Sequence, residues 1–392
     1  MADEHIGHRI AHYRNARGLT QEEFAGLVEV SLSLVRKWEQ GARTPTTLST
    51  IIRVARVLGV RDLSSLIGQP VGITPDASAH HPAVSQIRAA MAVPMTSRPV
   101  DIGTLERDLA TAWDVLQSPG PWRYAHGGAM IPDLIRAAGT LARRDPSART
   151  HRAAASVYLL VRPFTKWVGE PTLAMAAAER CRFHAASAAD VGCWAAGEWN
   201  YAQALSTLGD PENSRAAAEA AIDELGDVRA GTAADVAAVG ALHLIAAVGA
   251  VRTDDHKGAR RRVEAATGLA AVLGQDTNHW WVAFGPTNVG IHQVALSAER
   301  GHSRAVLDSS RALQSGRAPS VERAVAHQLD LALAATRVKE WAEGAAALRQ
   351  ADALSPEQVD WSVTARESVR TLLHRAPRQY RPLQLARRMN LE

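Results

Sequence analysis

Four side chains between residues 32 and 37 are of types that could read the edges of DNA bases. Leu32, Ser33, Arg36 and Lys37 fall on the face of a predicted helix that its apolar residues leave free. Arg and Lys can pair with guanine edges, and Leu can contact the methyl group of thymine. A helix that offers short polar, basic and apolar side chains in this way suits the major groove of double-stranded DNA.

Two short helices joined by a tight turn must position these side chains. Thr20 precedes an apolar-periodic run and Glu23 follows three residues later, which predicts a capping box at the start of a helix over 21–28. Residues 29–31 would then form the turn. The residues that we expect this first helix to bury are Phe24, Leu27 and Val28.

The second helix is predicted over residues 32–40. Ser31 can cap its start through the side-chain hydroxyl. Val35 and Trp38, three residues apart, lie on one face and would be buried. Gly41 follows as the glycine that commonly ends a helix. The face opposite Val35 and Trp38 is therefore the one left for DNA.

Residues 6–67 resemble the Cro/repressor-type (XRE) helix-turn-helix domain. The residues that carry the resemblance are Arg14, Gly18, Leu19, Thr20, Gln21, Phe24, Ala25, Val30, Ser31, Val35, Trp38, Glu39, Gly41, Arg43, Pro45, Leu58, Gly59 and Val60. The resemblance implies a five-helix DNA-binding domain over 1–67, whose last helix is expected at 63–67. The DNA-binding residues that it implies are Thr20, Gln21, Ser31, Leu32, Ser33, Arg36, Lys37 and Arg43, with Thr20 and Arg43 meeting phosphates.

The resemblance also implies an ion pair and a strained turn. Arg14 and Glu39 occupy the places where the family keeps a buried ion pair between the first helix and the recognition helix. Glu29 stands where the family usually has glycine. A non-glycine residue with positive φ costs about 1 kcal/mol, so we expect slight strain at Glu29.

The remainder of the chain is predicted to be helical. Residues 68–101 are rich in proline and are interpreted as a linker with one short helix at about 84–91. From residue 102 to 374, helix-breaking segments recur every 38–48 residues, with a helix of 14–20 residues on either side of each. This period predicts an α-solenoid, and the repeats resemble the tetratricopeptide (TPR) class. Residues 375–392 form a basic C-terminal segment, interpreted as a solvated face or an additional contact with DNA or a partner.

A ligand site in the solenoid is a further expectation. Polar residues recur inside apolar runs, 9 to 13 residues before each helix breaker, with aromatic residues close by. Equivalent places on stacked helices fall on one surface of a solenoid, usually the concave one. The candidate ligand-binding residues are Trp199, Asn200, His243, Trp281, Asn288, His292 and His327. The alternative is that these side chains satisfy one another or the backbone within helix packing.

Composition and motifs exclude several function classes. The chain has 392 residues, a net charge of +4 and ordinary apolar content, which indicates a globular protein. We find no HExxH, Walker or GxSxG motif and no metal-ligand spacing, so we expect no enzyme, no cofactor and no metal. The most apolar stretch, 236–251, is interpreted as too short to span a bilayer, and a cytoplasmic protein without a membrane partner is expected.

The whole architecture resembles peptide-responsive transcriptional regulators of Gram-positive bacteria. The resemblance implies an all-α, sequence-specific DNA-binding regulator. Its TPR-like domain would sense a peptide or small signalling ligand and would hold a homodimer. The alternative hypothesis is a DNA-binding adaptor whose TPR-like domain recruits a protein partner instead.

Overall fold

The computed structural model describes residues 5–45, 48–58, 60, 66, 81–313 and 320–391. Across these ranges the regular secondary structure is helical, apart from one isolated antiparallel bridge between Thr277 and Phe284. The all-α prediction is therefore confirmed.

The N-terminal domain packs four described helices around one apolar core. Its helices are α1 (Ile6–Ala16), α2 (Gln21–Val28), α3 (Leu32–Glu39) and α4 (Leu48–Leu58). Ile10, Phe24, Val28 and Val35 are fully buried in this core, together with Trp38. The predicted fifth helix lies outside the described residues except for Leu66, which is also buried.

The prediction that Leu27 is buried is wrong. Leu27 is 56% exposed, whereas its neighbour Val28 is fully buried. Helix α2 has only eight residues, and its buried face is set by Phe24, Ala25 and Val28. Leu27 lies three residues beyond Phe24, but in so short a helix that face is complete without it.

Helix pairs continue through the rest of the chain. They are preceded by α5 (Ala83–Ala92) and the hairpin of α6 (Ile102–Gln117) and α7 (Arg123–Arg144). The five pairs are α8 (Ala148–Trp167) with α9 (Pro171–Ala186), α10 (Val191–Thr207) with α11 (Pro211–Leu225), α12 (Ala233–Arg252) with α13 (His256–Leu273), α14 (Pro286–Glu299) with α15 (Ser303–Ala312), and α16 (Val321–Arg337) with α17 (Trp341–Leu354). The chain continues through α18 (Pro356–Asp360), α19 (Val363–Arg375) and α20 (Leu383–Arg388).

The five pairs stack as a solenoid. The first helix of each pair packs against the first helix of the next, from α8 through α10, α12 and α14 to α16. The turn inside each pair contains one residue in the left-handed conformation. These residues are Gly169, Gly209, Asp254, Gly301 and Lys339, with φ between 61° and 82°. The repeated geometry places the five turns along one edge of the stack.

The solenoid closes on itself at its two ends. The side chain of Glu322, at the start of α16, accepts hydrogen bonds from Arg123 Nη2 (2.7 Å) and Gln117 Nε2 (3.1 Å). The backbone N–H of Gly120 donates to the carbonyl of Leu354 at 3.0 Å. Contacts of this kind bring the α6–α7 hairpin against the last helix pair, so the concave side becomes the interior of a ring.

Helix α5 belongs to the body of the helical domain. It packs against α7, and Ile87 on its inner face is fully buried in the same core as α8 and α10. The sequence interpretation placed this helix inside a linker that ended at residue 101. The core of the helical domain thus begins at Ala83, because the apolar residues of α5 are buried against α7.

Helix α12 is long and apolar enough to cross a membrane. It spans 20 residues, so the expectation that this stretch is too short is wrong on length. Its most apolar window is 83% buried against neighbouring helices. Such burial is typical of the central helix of a packed domain.

Candidate DNA-binding face and the interior of the helical domain

Caps at both helices of the helix-turn-helix position the candidate DNA-binding residues. The N–H of Glu23 donates to Thr20 Oγ1 at 3.1 Å, and the Glu23 carboxylate accepts from the Thr20 N–H at 2.7 Å. This is the predicted capping box. The Ser31 hydroxyl accepts from the Leu34 N–H at 3.2 Å, as expected for the cap of α3. Both hydrogen bonds satisfy backbone donors that the first turn of a helix leaves free.

The turn between α2 and α3 has the predicted left-handed residue. Glu29 has φ 57° and ψ 50°, a conformation that glycine adopts more readily. The N–H of Val30 donates to the Ala25 carbonyl at 3.0 Å, which closes the end of α2. Arg53 on α4 pairs with the Glu29 carboxylate at 3.1 Å. The turn thus keeps its sharp geometry without glycine.

A buried ion pair joins α1 to the recognition helix α3. Arg14 donates through Nε (2.6 Å) and Nη2 (2.9 Å) to the two carboxylate oxygens of Glu39. The side chains are 10% and 9% exposed. The hydrogen bond with Glu39 raises the pKa of Arg14. Gln21, a predicted DNA-binding residue, donates to the same carboxylate at 2.8 Å and so forms part of this network.

The outer face of α3 is only partly open. Ser33 and Arg36 are exposed, as is Thr20 at the start of α2, while Leu32 is half-buried. These side chains can meet DNA without any rearrangement of the domain. Their assignment as DNA contacts remains a prediction.

The other candidate DNA contacts touch the helical domain. The Ser31 hydroxyl donates to the carboxylate of Asp254, the left-handed residue in the turn between α12 and α13. Lys37 Nζ lies 3.9 Å from the other oxygen of the same carboxylate. One acidic side chain therefore faces both the N-terminus of the recognition helix and one of its basic residues.

Arg43 is bound more tightly. It is 9% exposed, and its Nη2 donates to Glu299 Oε2 at 2.6 Å. Arg252 donates to the other oxygen of Glu299 at 2.7 Å. Burial alone would raise the pKa of Glu299, but Arg252 and Arg43 outweigh it and lower that pKa to about 2. Glu299 is therefore ionised throughout the neutral range and holds both guanidinium groups.

Three further contacts join residues 42–44 to the helical domain. Arg337 Nη1 donates to the Ala42 carbonyl at 3.4 Å, and Thr44 Oγ1 lies 3.5 Å from a Glu367 carboxylate oxygen. Gly301, in the turn between α14 and α15, approaches the Ala42 carbonyl so closely that a Cβ there would overlap with it. We call this set of contacts, made by residues 31–44 with Asp254, Glu299, Gly301, Arg337 and Glu367, the docking surface.

Two of the candidate ligand-binding residues meet a buried arginine. Asn200 is fully buried, and its Oδ1 accepts from Arg162 Nε at 2.7 Å. The Arg162 guanidinium lies 5.2 Å from the ring centroid of Trp199. Arg162 is 4% exposed and sits on α8, the first helix of the stack. Trp199 and Asn200 therefore line the ring interior beside a charged group.

Three further candidates come from α14 and α16. Asn288 donates to the Ala283 carbonyl, and His292 Nδ1 lies 2.9 Å from the Asn288 carbonyl one turn earlier. Burial, and then the charge of Arg323, lowers the pKa of His292 to about 3, so its imidazole is neutral. His327 Nδ1 is buried without a hydrogen-bond partner in the described part of the chain. Backbone carbonyls thus hydrogen-bond the side-chain nitrogens of Asn288 and His292, as the alternative interpretation expected.

The remaining two candidates lie elsewhere. His243 faces a cavity of about 500 Å³ between the α11–α12 loop and α13. Trp281 stacks on Trp113 with ring centroids 4.4 Å apart, at a cavity of about 400 Å³ that also contacts Arg149. His243 and Trp281 therefore line two separate cavities, and Asn200 lines neither of them. Matched positions in successive helix pairs did not bring these side chains to one surface.

Sequence reasoning missed the charged residues of both regions. Asp254 lies in a turn and Glu299 at the end of α14, and neither position carries a local sequence signal for a partner more than 200 residues away. Arg162 and Lys166 had a usable signal, since they stand four residues apart in the otherwise apolar run 157–168. Two cations one helical turn apart in such a run indicate a charged site more strongly than a lone histidine.

Comparisons with known proteins identify the N-terminal unit. Residues 5–64 match the model of a family described as a helix-turn-helix domain. No curated protein matches the chain. Among solved structures, PlcR of Bacillus thuringiensis, determined in complex with the peptide PapR7 and DNA, is 15% identical. That similarity covers 69% of this chain and 96% of PlcR, with a TM-score of 0.32. The chain thus carries a helix-turn-helix DNA-binding domain at its N-terminus, joined to an all-helical repeat body.

Proposed function

We propose that this protein is a sequence-specific transcriptional regulator whose helical domain senses a ligand and controls the access of its helix-turn-helix domain to DNA. The observation that carries the proposal is the docking surface. Ser31, Lys37 and Arg43 are among the groups expected to meet DNA, and all three contact carboxylates of the helical domain.

Carboxylates and DNA phosphates compete for the same donors. Arg43 cannot hold both Glu299 and a phosphate, because its side chain is buried between the two domains. The Ser31 hydroxyl is likewise occupied by Asp254. The conformation described here is therefore a closed one, and DNA binding requires that the docking surface separate. A ligand can shift this equilibrium only if it binds the two conformations with different affinity.

The proposal includes a homodimer. One helix-turn-helix domain reads one half-site, so specific recognition needs two copies about 34 Å apart on one face of DNA. The helical domain is the part that would hold the two copies together. Light scattering on the full chain checks this, with twice the 42.0 kDa mass of one chain as the expected result.

The test of the closed conformation is DNA binding by full-length variants. Binding sites are first enriched from a random duplex library with the Asp254→Asn/Glu299→Gln variant. That variant is expected to bind them at least about tenfold more tightly than the wild type, the equivalent of about 1.4 kcal/mol. Glu343→Gln removes one carboxylate charge from a residue that pairs with Arg311 instead, and serves as the control for each of the two changes.

A second pair of variants opens the docking surface without a charge change. Gly301→Ala places a methyl group against the Ala42 carbonyl and should also raise DNA affinity. Gly169→Ala is the matched control, because Gly169 holds the same turn position with φ 80° and open space around it. Equal DNA affinity for wild type, Gly301→Ala and the double variant would contradict the proposal.

A further inference from the structure

Three cations meet in the ring interior without a carboxylate partner. Arg162 is buried and its Nε bonds only the neutral Asn200. Lys166, one turn further along α8, and Arg323, at the start of α16, are half-buried. Within the described ranges neither Lys166 nor Arg323 has a side-chain hydrogen bond or an ion pair. Cations placed out of bulk water are normally paired, so this group is incomplete as it stands.

The three cations lie close enough to affect one another. The charge of Arg323 lowers the pKa of Arg162, in addition to the larger effect of burial. Burial, followed by the charges of Arg162, Arg323 and Arg252, lowers the pKa of Lys166 to about 7. Helices α8 and α16 are the first helices of the first and the last pair, so ring closure brings these side chains near one another.

The nearest acidic groups, Glu322 and Asp330, offset the charge of this cluster only in part. The Glu322 carboxylate accepts hydrogen bonds from Arg123 and Gln117, which hold it at the seam of the ring. Asp330 lies two turns after Arg323 on α16. Burial, and then the charge of Glu299, raises the pKa of Asp330 to about 7 against the opposing effect of Arg323. The Asp330 carboxyl is therefore a weaker counter-charge than an exposed aspartate.

Aromatic rings and polar groups line the rest of this interior. Lys166 Nζ lies 5.1 Å from the ring centroid of Trp167, and Arg162 lies over Trp199. The buried Nδ2 of Asn200 has no hydrogen-bond acceptor in the described part of the chain. A ligand rich in acceptors and negative charge would satisfy both this donor and the cations.

We propose that the ring interior binds a small molecule through a carboxylate or phosphate group, held by Arg162, Lys166 and Arg323. This deepens the proposed function, on which it rests, by naming the chemistry of the ligand. An oxyanion is the group that would satisfy several cations at once, and a guanidinium can bind it through two parallel hydrogen bonds.

The same site is connected to the docking surface by charge. Arg252 lies close enough to Lys166 to affect its ionisation and donates to Glu299 at 2.7 Å. Glu299 in turn holds Arg43 of the N-terminal domain. An oxyanion beside Lys166 attracts Arg252 and weakens its hold on Glu299, which alters the contact with Arg43. The coupling is reciprocal, so release of the N-terminal domain must change anion affinity by the same factor.

The experiment measures anion binding by the full-length protein without DNA. Thermal melting and titration calorimetry use inorganic phosphate and succinate as probes, with sodium chloride added to constant ionic strength. We expect a saturable rise in melting temperature with at least one of the two probes. A response to phosphate alone assigns a phosphate ligand, and a response to succinate alone assigns a carboxylate.

Three variants connect the response to the site. Lys166→Met and Arg323→Gln should each weaken anion binding at least tenfold. Without an anion, both variants should melt at or above the wild-type temperature, because charge repulsion is relieved. Arg311→Gln removes an exposed cation that pairs with Glu343 and should bind anions as the wild type does.

Two outcomes would overturn the assignment. One is the absence of a saturable effect of either probe on the wild type, or an equal effect in Lys166→Met. The other is melting of Lys166→Met and Arg323→Gln far below wild type in the absence of anions, which would make the cations a structural group. Both readouts are independent of DNA. Anion binding that leaves DNA affinity unchanged would sustain the site while contradicting the regulatory function.

Discussion

The arginines at the docking surface and those in the ring interior differ in whether they have a carboxylate partner. At the docking surface, Arg43 and Arg252 share the carboxylate of Glu299, with distances of 2.6 and 2.7 Å. In the ring interior, Arg162 and Arg323 have no such partner among the described residues. Residues of the same type therefore form a closed contact in one region and an incomplete site in the other. The difference lies in the carboxylate. Where Glu299 supplies one, the arginines are already paired, and the proposed function requires that pairing to break. Where none is present, the proposed ligand would supply the missing negative charge.

The largest expected effect concerns Arg14, which is paired with Glu39 and buried within the N-terminal domain. Glu39→Ala leaves Arg14 without its partner and should lower the free energy of unfolding of the N-terminal domain by about 3–5 kcal/mol. Hydrogen exchange of the α1 and α3 amides in the full chain measures the loss. Glu22→Ala, an exposed position on α2, is the control. Equal protection in Glu39→Ala and wild type would show that the pair does not hold α1 against α3.

The second effect contrasts a free and a docked residue of the recognition helix. Arg36→Ala should weaken specific DNA binding by about 1–3 kcal/mol if the side chain makes a bidentate contact with a base. Lys37→Ala should cost less, because the closed conformation also loses the interaction with Asp254. Titration of library-enriched duplexes with each full-length variant gives both values, and Arg56→Ala on α4 is the control. A larger loss for Lys37→Ala than for Arg36→Ala would contradict this order.

The third effect is a dependence of stability on pH caused by the incomplete site. Asp330 has a pKa of about 7, against 3.8 for the free group, so the folded state holds a proton that the unfolded state has lost. Its contribution to stability is therefore greatest below pH 3.8 and is lost as the pH rises to 7. The groups that face Asp330 are Glu299 and Arg323, and both keep their charge over this range.

Lys166 acts with the opposite sign in a higher window. Its pKa of about 7 lies below the 10.5 of the free group, so the unfolded state binds the extra proton between pH 7 and 10.5. Its effect on stability accordingly becomes more favourable as the pH rises through that window. The cations that face it are Arg162, Arg323 and Arg252. Arg252 stays charged throughout, but burial and the charge of Arg323 lower the pKa of Arg162 to about 9, so Arg162 itself loses charge in the upper part of this window.

The combined contribution of these two groups to stability has its minimum near pH 7, while the buried His292, with a pKa of about 3, adds stability as the pH rises from 3 to 6.5. Relative to the wild type, Asp330→Asn should gain stability as the pH rises from 5 to 7, and Lys166→Met should lose stability as it rises from 7 to 9. Each change should amount to about 2–4 °C in melting temperature, equal to about 1 kcal/mol for a domain of this size. Calorimetric scans from pH 5 to 9 measure both. Identical pH profiles for wild type and both variants would remove the electrostatic account of this site.

The smallest effect is expected at Leu27, which the sequence predicted to be buried and which is exposed on α2. Leu27→Ser should change the free energy of unfolding by less than about 0.5 kcal/mol, because the side chain is 56% exposed. Val28→Ala, in contrast, removes fully buried methyl groups and should be clearly destabilising. Denaturant unfolding of the two variants makes the comparison, and a larger loss for Leu27→Ser would restore the sequence expectation.

Local interactions made the helix-turn-helix predictable. The caps at Thr20 and Ser31 and the turn at Glu29 involve residues within a few positions of each other, and the repeat period showed the helix pairs. The docking surface could not be predicted in this way. Arg43 and Glu299 are separated by 256 positions, and they meet only because of how the solenoid curves. Arg162 and Arg323 likewise meet only when the ring closes, a property of the whole stack that no single segment encodes.

The docking surface is built from consecutive helix pairs, so the fit of the N-terminal domain depends on the superhelical pitch of the solenoid. Asp254, Gly301 and Arg337 belong to the turns, or the residues beside them, of three successive helix pairs. A small change in superhelical pitch moves each of them by a different amount, and the displacements add from pair to pair. The short segment 31–44 must match all three positions at once. Its fit therefore depends on the pitch, and under the proposed function a slight rewinding between α12 and α17 would release the whole domain.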